Sequence, residues 1–228
     1  MQINEIFSSI DGEGIRTGYL VTFIRTQFCS LNCSYCDTAY SLQPYDSDGN
    51  KQYCDMTVDE IVEKCKELGN RRITFTGGEP LIQKDAKELI SKLTLNDFEV
   101  NIETNGNINL KHITKFDINM PIARNNMIIT MDWKSPSSGM RDKMLESNLG
   151  CLSFNDVLKF VVGSKEDLDD MKLVLQNHHI RGHVFVSPVF GEIELPEIVD
   201  YIKDNNLQNV RMQLQLHKII WEPSMRGV

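Results

Sequence analysis

RRITFTGGEPLIQKDAKELISKL, residues 71–93, contains the unit from which the fold follows. The β-branched and aromatic run RRITFT suits a strand. KDAKELISKL then places Ala86, Leu89, Ile90 and Leu93 on one helical face. Between them lies TGGEP, Thr76 to Pro80, whose paired glycines let backbone approach a neighbour more closely than a side chain would allow. A strand, a glycine turn and an amphipathic helix in this order make a βα unit.

The same alternation continues in both directions. Further strands are expected at NEIFSSI, YLVTFIRT, FEVNIET, MIITMD, DVLKFVV, HVFVSP and NVRMQLQL. A helix starts from a capping box, Thr57 with Glu60, turns Ile61, Val62, Cys65 and Leu68 inward and stops near Gly69. Another starts near Ser164 and buries Leu168, Met171, Val174 and Leu175; the last starts at Pro196 and turns Ile198, Val199 and Ile202 toward the sheet. Residues 107–125 carry little signal beyond one short helix, and SLQPYDSDGNKQYCD looks like an exposed insertion. The expected class is α/β, a mostly parallel sheet with outer helices, built as one domain over residues 1–228.

Composition excludes several functions. With 24 Lys and Arg against 32 Asp and Glu, the formal charge of -8 repels nucleic acid over most of the surface. The opening MQINEIFSSIDGEG has no signal-peptide pattern and no later run matches a membrane span, so the cytoplasm is expected. Of six cysteines, three crowd into FCSLNCSYCDT, which in a reducing compartment indicates metal ligation rather than disulfides. Cys54, Cys65 and Cys151 are scattered and are expected to have ordinary roles.

The unusual residues fall just past strand ends. Cys29 to Thr38 follow YLVTFIRT, Thr76 to Pro80 follow RRITFT, Asn105 and Gly106 follow FEVNIET, and Asp132 to Ser138 follow MIITMD. In a barrel or partial barrel these segments converge on one mouth, where βα folds place active sites. Soft thiolates at Cys29, Cys33 and Cys36 suit an iron–sulfur cluster, and three ligands for a four-iron cube leave one iron open. A zinc knuckle completed by Cys54 or a histidine is the alternative, although structural zinc sites usually pair two C-x-x-C knuckles and this chain has one.

C-x-x-x-C-x-x-C with Tyr35 before the last cysteine resembles the signature of the radical S-adenosylmethionine (SAM) superfamily. That resemblance implies a partial (βα) barrel in which Cys29, Cys33 and Cys36 hold a 4Fe-4S cluster. It also implies that SAM binds at the open iron and yields a 5'-deoxyadenosyl radical. Tyr35, Cys36, Asp37, Gly77, Gly78, Glu79, Glu103, Asn105, Asp132, Lys134 and Ser137 are then expected as cofactor contacts.

EIFSSIDGEG, FIR, CDT, TGGEP, ETNG, DWKSPSSGM and QLHKIIW together resemble the 7-carboxy-7-deazaguanine synthase family of queuosine biosynthesis. The implied reaction is ring contraction of 6-carboxy-5,6,7,8-tetrahydropterin to 7-carboxy-7-deazaguanine with loss of ammonia. Ile10, Asp11, Gly12, Arg25, Thr76, Gln215 and His217 become expected substrate contacts, with the planar Arg25 suited to a carboxylate. Thr38 becomes the Mg2+ ligand. An electron donor of flavodoxin or ferredoxin type and a homodimer are also implied. Two positions depart from the family pattern: Asp11 stands where Gln is usual, and Phe28 where Gly is frequent. The competing enzyme reading is an activase of a glycyl-radical protein, and the competing non-enzyme reading is a zinc-stabilised binding module.

Overall fold

Nine strands form a single sheet in a computed structural model that describes residues 1–115, 119, 121–222 and 225–228. They are β1 (Gln2–Ile10), β2 (Leu20–Thr26), β3 (Cys54–Asp55), β4 (Arg72–Gly77), β5 (Glu99–Thr104), β6 (Met127–Lys134), β7 (Val157–Val162), β8 (His183–Pro188) and β9 (Val210–Met212). Their order is β3-β1-β2-β4-β5-β6-β7-β8-β9. The β1 pairings are antiparallel and all pairings from β2 to β9 are parallel. No pairing joins β3 to β9 among the described residues, so the sheet is an open, partial barrel.

Parallel neighbours need crossovers. Helices α1 (Val58–Leu68), α2 (Ala86–Leu95), α4 (Lys165–Asn177) and α5 (Leu195–Asp204) supply four of them, while α3 (Lys111–Thr114) is a short helix in the weak region. Residues 116–118 and 120 of that region lie outside the described residues. The capping box of α1 forms as expected: Thr57 Oγ1 accepts from the Glu60 amide and Glu60 Oε2 accepts from the Thr57 amide. Gly69, at φ 73°, ends the helix in the left-handed conformation.

Most of the buried apolar residues form one contiguous cluster, with Ile61, Val62 and Cys65 of α1 and Leu89, Ile90 and Leu93 of α2 packed against the strands. Cys65 is thus a small core hydrophobe. Two expectations are corrected. Val199 is exposed, because only Ile198 of α5 is turned fully inward. NVRMQLQL is strand only from Val210 to Met212; beyond it the Gln213 side chain leaves the sheet to bond the Gly14 amide and carbonyl and the Thr17 hydroxyl.

The two ends of the barrel are distinct. Ile10 pairs with Leu20 at the start of β2, whereas the cysteine loop leaves from the end of β2 after Thr26. The loop after β1 therefore crosses the floor and the cysteine loop lies at the rim. The buried Arg16 plugs the floor by donating to the carbonyls of Ile73 and Glu99.

Candidate active site

A cavity of about 420 Å³ runs from rim to floor. Its lining includes Cys29, Cys33 and Cys36, so the three thiols that the spacing singled out do converge. The geometry of the rim follows from close backbone approach. Gly78 donates to the Thr26 carbonyl at 3.0 Å, and Glu79 donates to Phe28 at 2.8 Å. A Cβ on Gly78 would stand 2.0 Å from the Phe28 oxygen, and one on Gly77 2.2 Å from the Thr26 nitrogen. Phe28 itself has φ 69°, which explains why glycine suits that position.

The cysteine loop is braced from two sides. Ser34 donates through its amide to Ser138 O and through its hydroxyl to Ser137 O. Asn105 Nδ2 lies 3.4 Å from Cys29 Sγ, and the Leu31 amide reaches the same sulfur at 3.4 Å. All six cysteines are free thiols; Cys54, Cys65 and Cys151 are absent from the cavity lining. Among the described residues no group of His, Cys, Asp and Glu closes on a single metal ion. The donor set fits a cluster instead, since each iron of a cube needs only one protein thiolate. Burial pushes the Cys33 thiol up to about 11 and raises Cys29 as well, so their ionised forms call for a cationic partner such as iron.

Most of the expected contacts line this cavity: Ile10, Asp11, Gly12, Arg25, Tyr35, Asp37, Thr38, Thr76, Gly77, Gly78, Glu103, Asn105, Asp132, Lys134, Gln215 and His217. Thr38 makes no side-chain helix cap and lies with Oγ1 3.7 Å from Cys36 Sγ. Lys134 pairs with Asp132 at 2.8 Å; burial opposes its charge, but Asp132 holds its pKa above the ordinary lysine value. Asp37 pairs with Lys218 at 3.1 Å.

Two expected contacts lie elsewhere. Glu79 is fully buried outside the lining, where its carboxylate accepts from the Leu81 and Asn105 amides and the Thr104 hydroxyl, locking the glycine turn to the end of β5. Burial raises its pKa to about 7. Ser137 is exposed and its amide and hydroxyl are both taken by Asp167, so it supports the rim without facing the cavity.

The floor is built from charges. Asp11 Oδ2 accepts from Thr74 Oγ1 at 3.0 Å, and burial, then the neighbouring Glu103, raise Asp11 to about 7. Its amide and carbonyl are used within the hairpin, by Tyr19 O and the Gly18 amide. Glu103 accepts from Thr76 Oγ1 at 2.8 Å. Nearer the rim, Arg25 pairs with Glu5 at 2.8 Å, and the Tyr40 hydroxyl donates to the same Glu5 oxygen. Leu216 donates to Gly12 O, which brings His217 against the floor loop. Glu5, Glu13, Tyr40 and Lys159 also line the cavity and were not singled out in the sequence; a lone lysine within the apolar DVLKFVV was the available signal.

Comparison with known proteins agrees with this geometry. Residues 23–118 match the model of the radical SAM superfamily. The 7-carboxy-7-deazaguanine synthase of Clostridium acetobutylicum is 41% identical, with 100% of this chain and 99% of that protein covered. The chain belongs to the 7-carboxy-7-deazaguanine synthase family. The synthase of Methanospirillum hungatei is 40% identical over 98% of this chain and 86% of its own length. The crystal structure of QueE from Escherichia coli superposes with TM-score 0.70 at 22% identity, covering 94% of this chain and 93% of that one, which shows the shared fold. Membership of the synthase family favours that enzyme over both a radical SAM activase of a glycyl-radical protein and a zinc-stabilised binding module.

Proposed function

We propose that this chain converts 6-carboxy-5,6,7,8-tetrahydropterin to 7-carboxy-7-deazaguanine, contracting the ring with loss of ammonia in queuosine biosynthesis. The observation that carries the reading is the meeting, in one cavity, of three free thiols at the rim with Arg25 and a polar floor. Its cofactors are a 4Fe-4S cluster, SAM and Mg2+. Together they supply a radical initiator and a Lewis acid.

The chain's own residues bind, orient and shield. Cys29, Cys33 and Cys36 would hold the cluster, with Asn105 donating to Cys29 Sγ. Gly77 and Gly78 would present backbone to SAM, with Tyr35, Asp37, Asp132 and Lys134 around it. Thr38 would ligate Mg2+. Burial opposes the charge of Arg25, but the Glu5 carboxylate beside it sustains it, and its planar guanidinium suits the substrate carboxylate in a bidentate pairing. Thr76, Glu103, Gln215 and His217 complete the substrate's polar surroundings, while the buried floor excludes water.

Residues 1–228 act as one radical SAM domain. We place the enzyme in the cytoplasm as a homodimer reduced by a flavodoxin- or ferredoxin-type donor; among the described residues no helix is long and apolar enough to cross a membrane. The test is anaerobic incubation of reduced protein with SAM and the tetrahydropterin acid, followed by mass spectrometry. The deazaguanine acid is expected; SAM cleavage that never yields it would refute the assignment. Thr38→Ala should retain the cluster and lose most of the Mg2+ stimulation, as measured by a Mg2+ titration of the rate.

A further inference from the structure

One buried cation ties the floor together. Lys159 stands on β7 in register with Asp132 of β6. Its Nζ lies 2.9 Å from Glu13 Oε2 and 3.8 Å from Asp132 Oδ2. Glu13 belongs to the loop after β1, and β2, β4, β5 and β6 all separate β1 from β7 in the sheet. The Lys159–Glu13 pair therefore spans the barrel interior, joining the floor loop to the strand beside the Asp132–Lys134 pair.

The floor carboxylates are not equivalent. Asp11 accepts from Thr74 and Glu103 from Thr76. Glu13 accepts from Lys159 through Oε2, whereas its Oε1 is buried with no hydrogen-bond partner among the described residues. A buried carboxylate oxygen left unpaired is unfavourable to the chain alone. The reduced bicyclic substrate carries several ring N–H donors, and an ionised carboxylate is the strongest acceptor a protein offers them.

We propose that Glu13 is a substrate-binding residue that accepts a hydrogen bond from a ring N–H through Oε1, and that Lys159 is the positioning residue that aims it. This rests on the tetrahydropterin reading given above. Burial opposes the charge of Lys159, but Glu13, Asp132 and Glu103 hold its ammonium well above the ordinary lysine value, so Lys159 keeps its charge.

The test compares Lys159→Met, Glu13→Met and the double variant with the wild type. Affinity for the tetrahydropterin acid is measured by anaerobic equilibrium dialysis on cluster-loaded, SAM-bound, unreduced protein, beside the thermal midpoint. Each single variant strands a buried charge and should lose both stability and at least tenfold in affinity. The double variant removes both charges, so its midpoint should recover toward wild type while its affinity stays at least tenfold weaker. Recovery of affinity together with stability would make the pair structural and overturn the proposal, as would wild-type affinity in Glu13→Met. Should Lys159→Met fail to fold, Glu13→Met and the double variant decide the matter. A wild-type protein that does not bind the acid would instead overturn the substrate reading, and this proposal with it.

Discussion

The rim and the floor of the cavity are held by different means. At the rim the chain satisfies its own polar groups: Ser34 donates to the 137–138 carbonyls, Glu79 accepts two amides and a hydroxyl, and two glycines meet β2 and its following loop backbone to backbone. At the floor, Asp11, Glu13 and Glu103 sit close to one another and depend on Lys159, Arg16 and two threonines for compensation. Rigid backbone geometry suits a cofactor that must always sit in one place. Concentrated buried charge suits recognition of a polar substrate, because each hydrogen bond is stronger where water is excluded.

Small changes should break the rim most severely. Gly78→Ala sets a methyl against the Phe28 carbonyl, where only backbone movement can relieve it, and should cost about 3 kcal/mol as well as SAM binding. Gly14→Ala at the floor meets no atom within 4 Å and must accommodate only its φ of 74°, so a cost of about 1 kcal/mol is expected. Thermal midpoints and SAM dialysis for the pair would sharpen the contrast; equal losses would erase it.

The floor should also respond to pH. The unfolded Asp11 releases its proton near 3.8, while the folded chain retains it to about 7. Its contribution to stability is therefore complete below 3.8 and is lost as pH rises through 7. Asp11→Asn, a permanent mimic of the neutral form, should lose less stability than the wild type between about pH 5 and about pH 8. Glu79, also raised to about 7, remains in the variant, so the slope is reduced rather than abolished. Thermal midpoints at the two pH values check this, and an unchanged slope would remove Asp11 as a source of pH dependence. The smallest effect is expected from Ser34→Ala, which deletes one exposed hydrogen bond of the rim brace for about 0.5–1 kcal/mol, measured by denaturant titration.

The same contrast explains what could be read in the sequence. The rim was legible because close backbone approach demands glycine at Gly77 and Gly78, and a cluster demands three thiols at short spacing. The βα alternation was legible from periodicity, and the capping box located α1 to the residue. The Glu13–Lys159 link across the floor was not, because the two residues are 146 positions apart and only the folded chain brings them together. Glu79 and Ser137 were expected as cofactor contacts; in the structure Glu79 binds the Asn105 amide and Ser137 binds Asp167, long-range partners that no local pattern announces. The tail after Met212 was over-extended as strand because alternation cannot register that the Gln213 side chain caps a turn near the other end of the chain.

The central claim is that Cys29, Cys33 and Cys36 hold an iron–sulfur cluster at the rim. Metal and sulfide analysis of anaerobically purified wild type and of the individual Cys→Ala variants tests it directly. Iron and sulfide in equal amounts are expected in the wild type, Cys54→Ala and Cys151→Ala, and neither in Cys29→Ala, Cys33→Ala or Cys36→Ala. One zinc per chain, or loss of the metal in Cys54→Ala, would contradict the account.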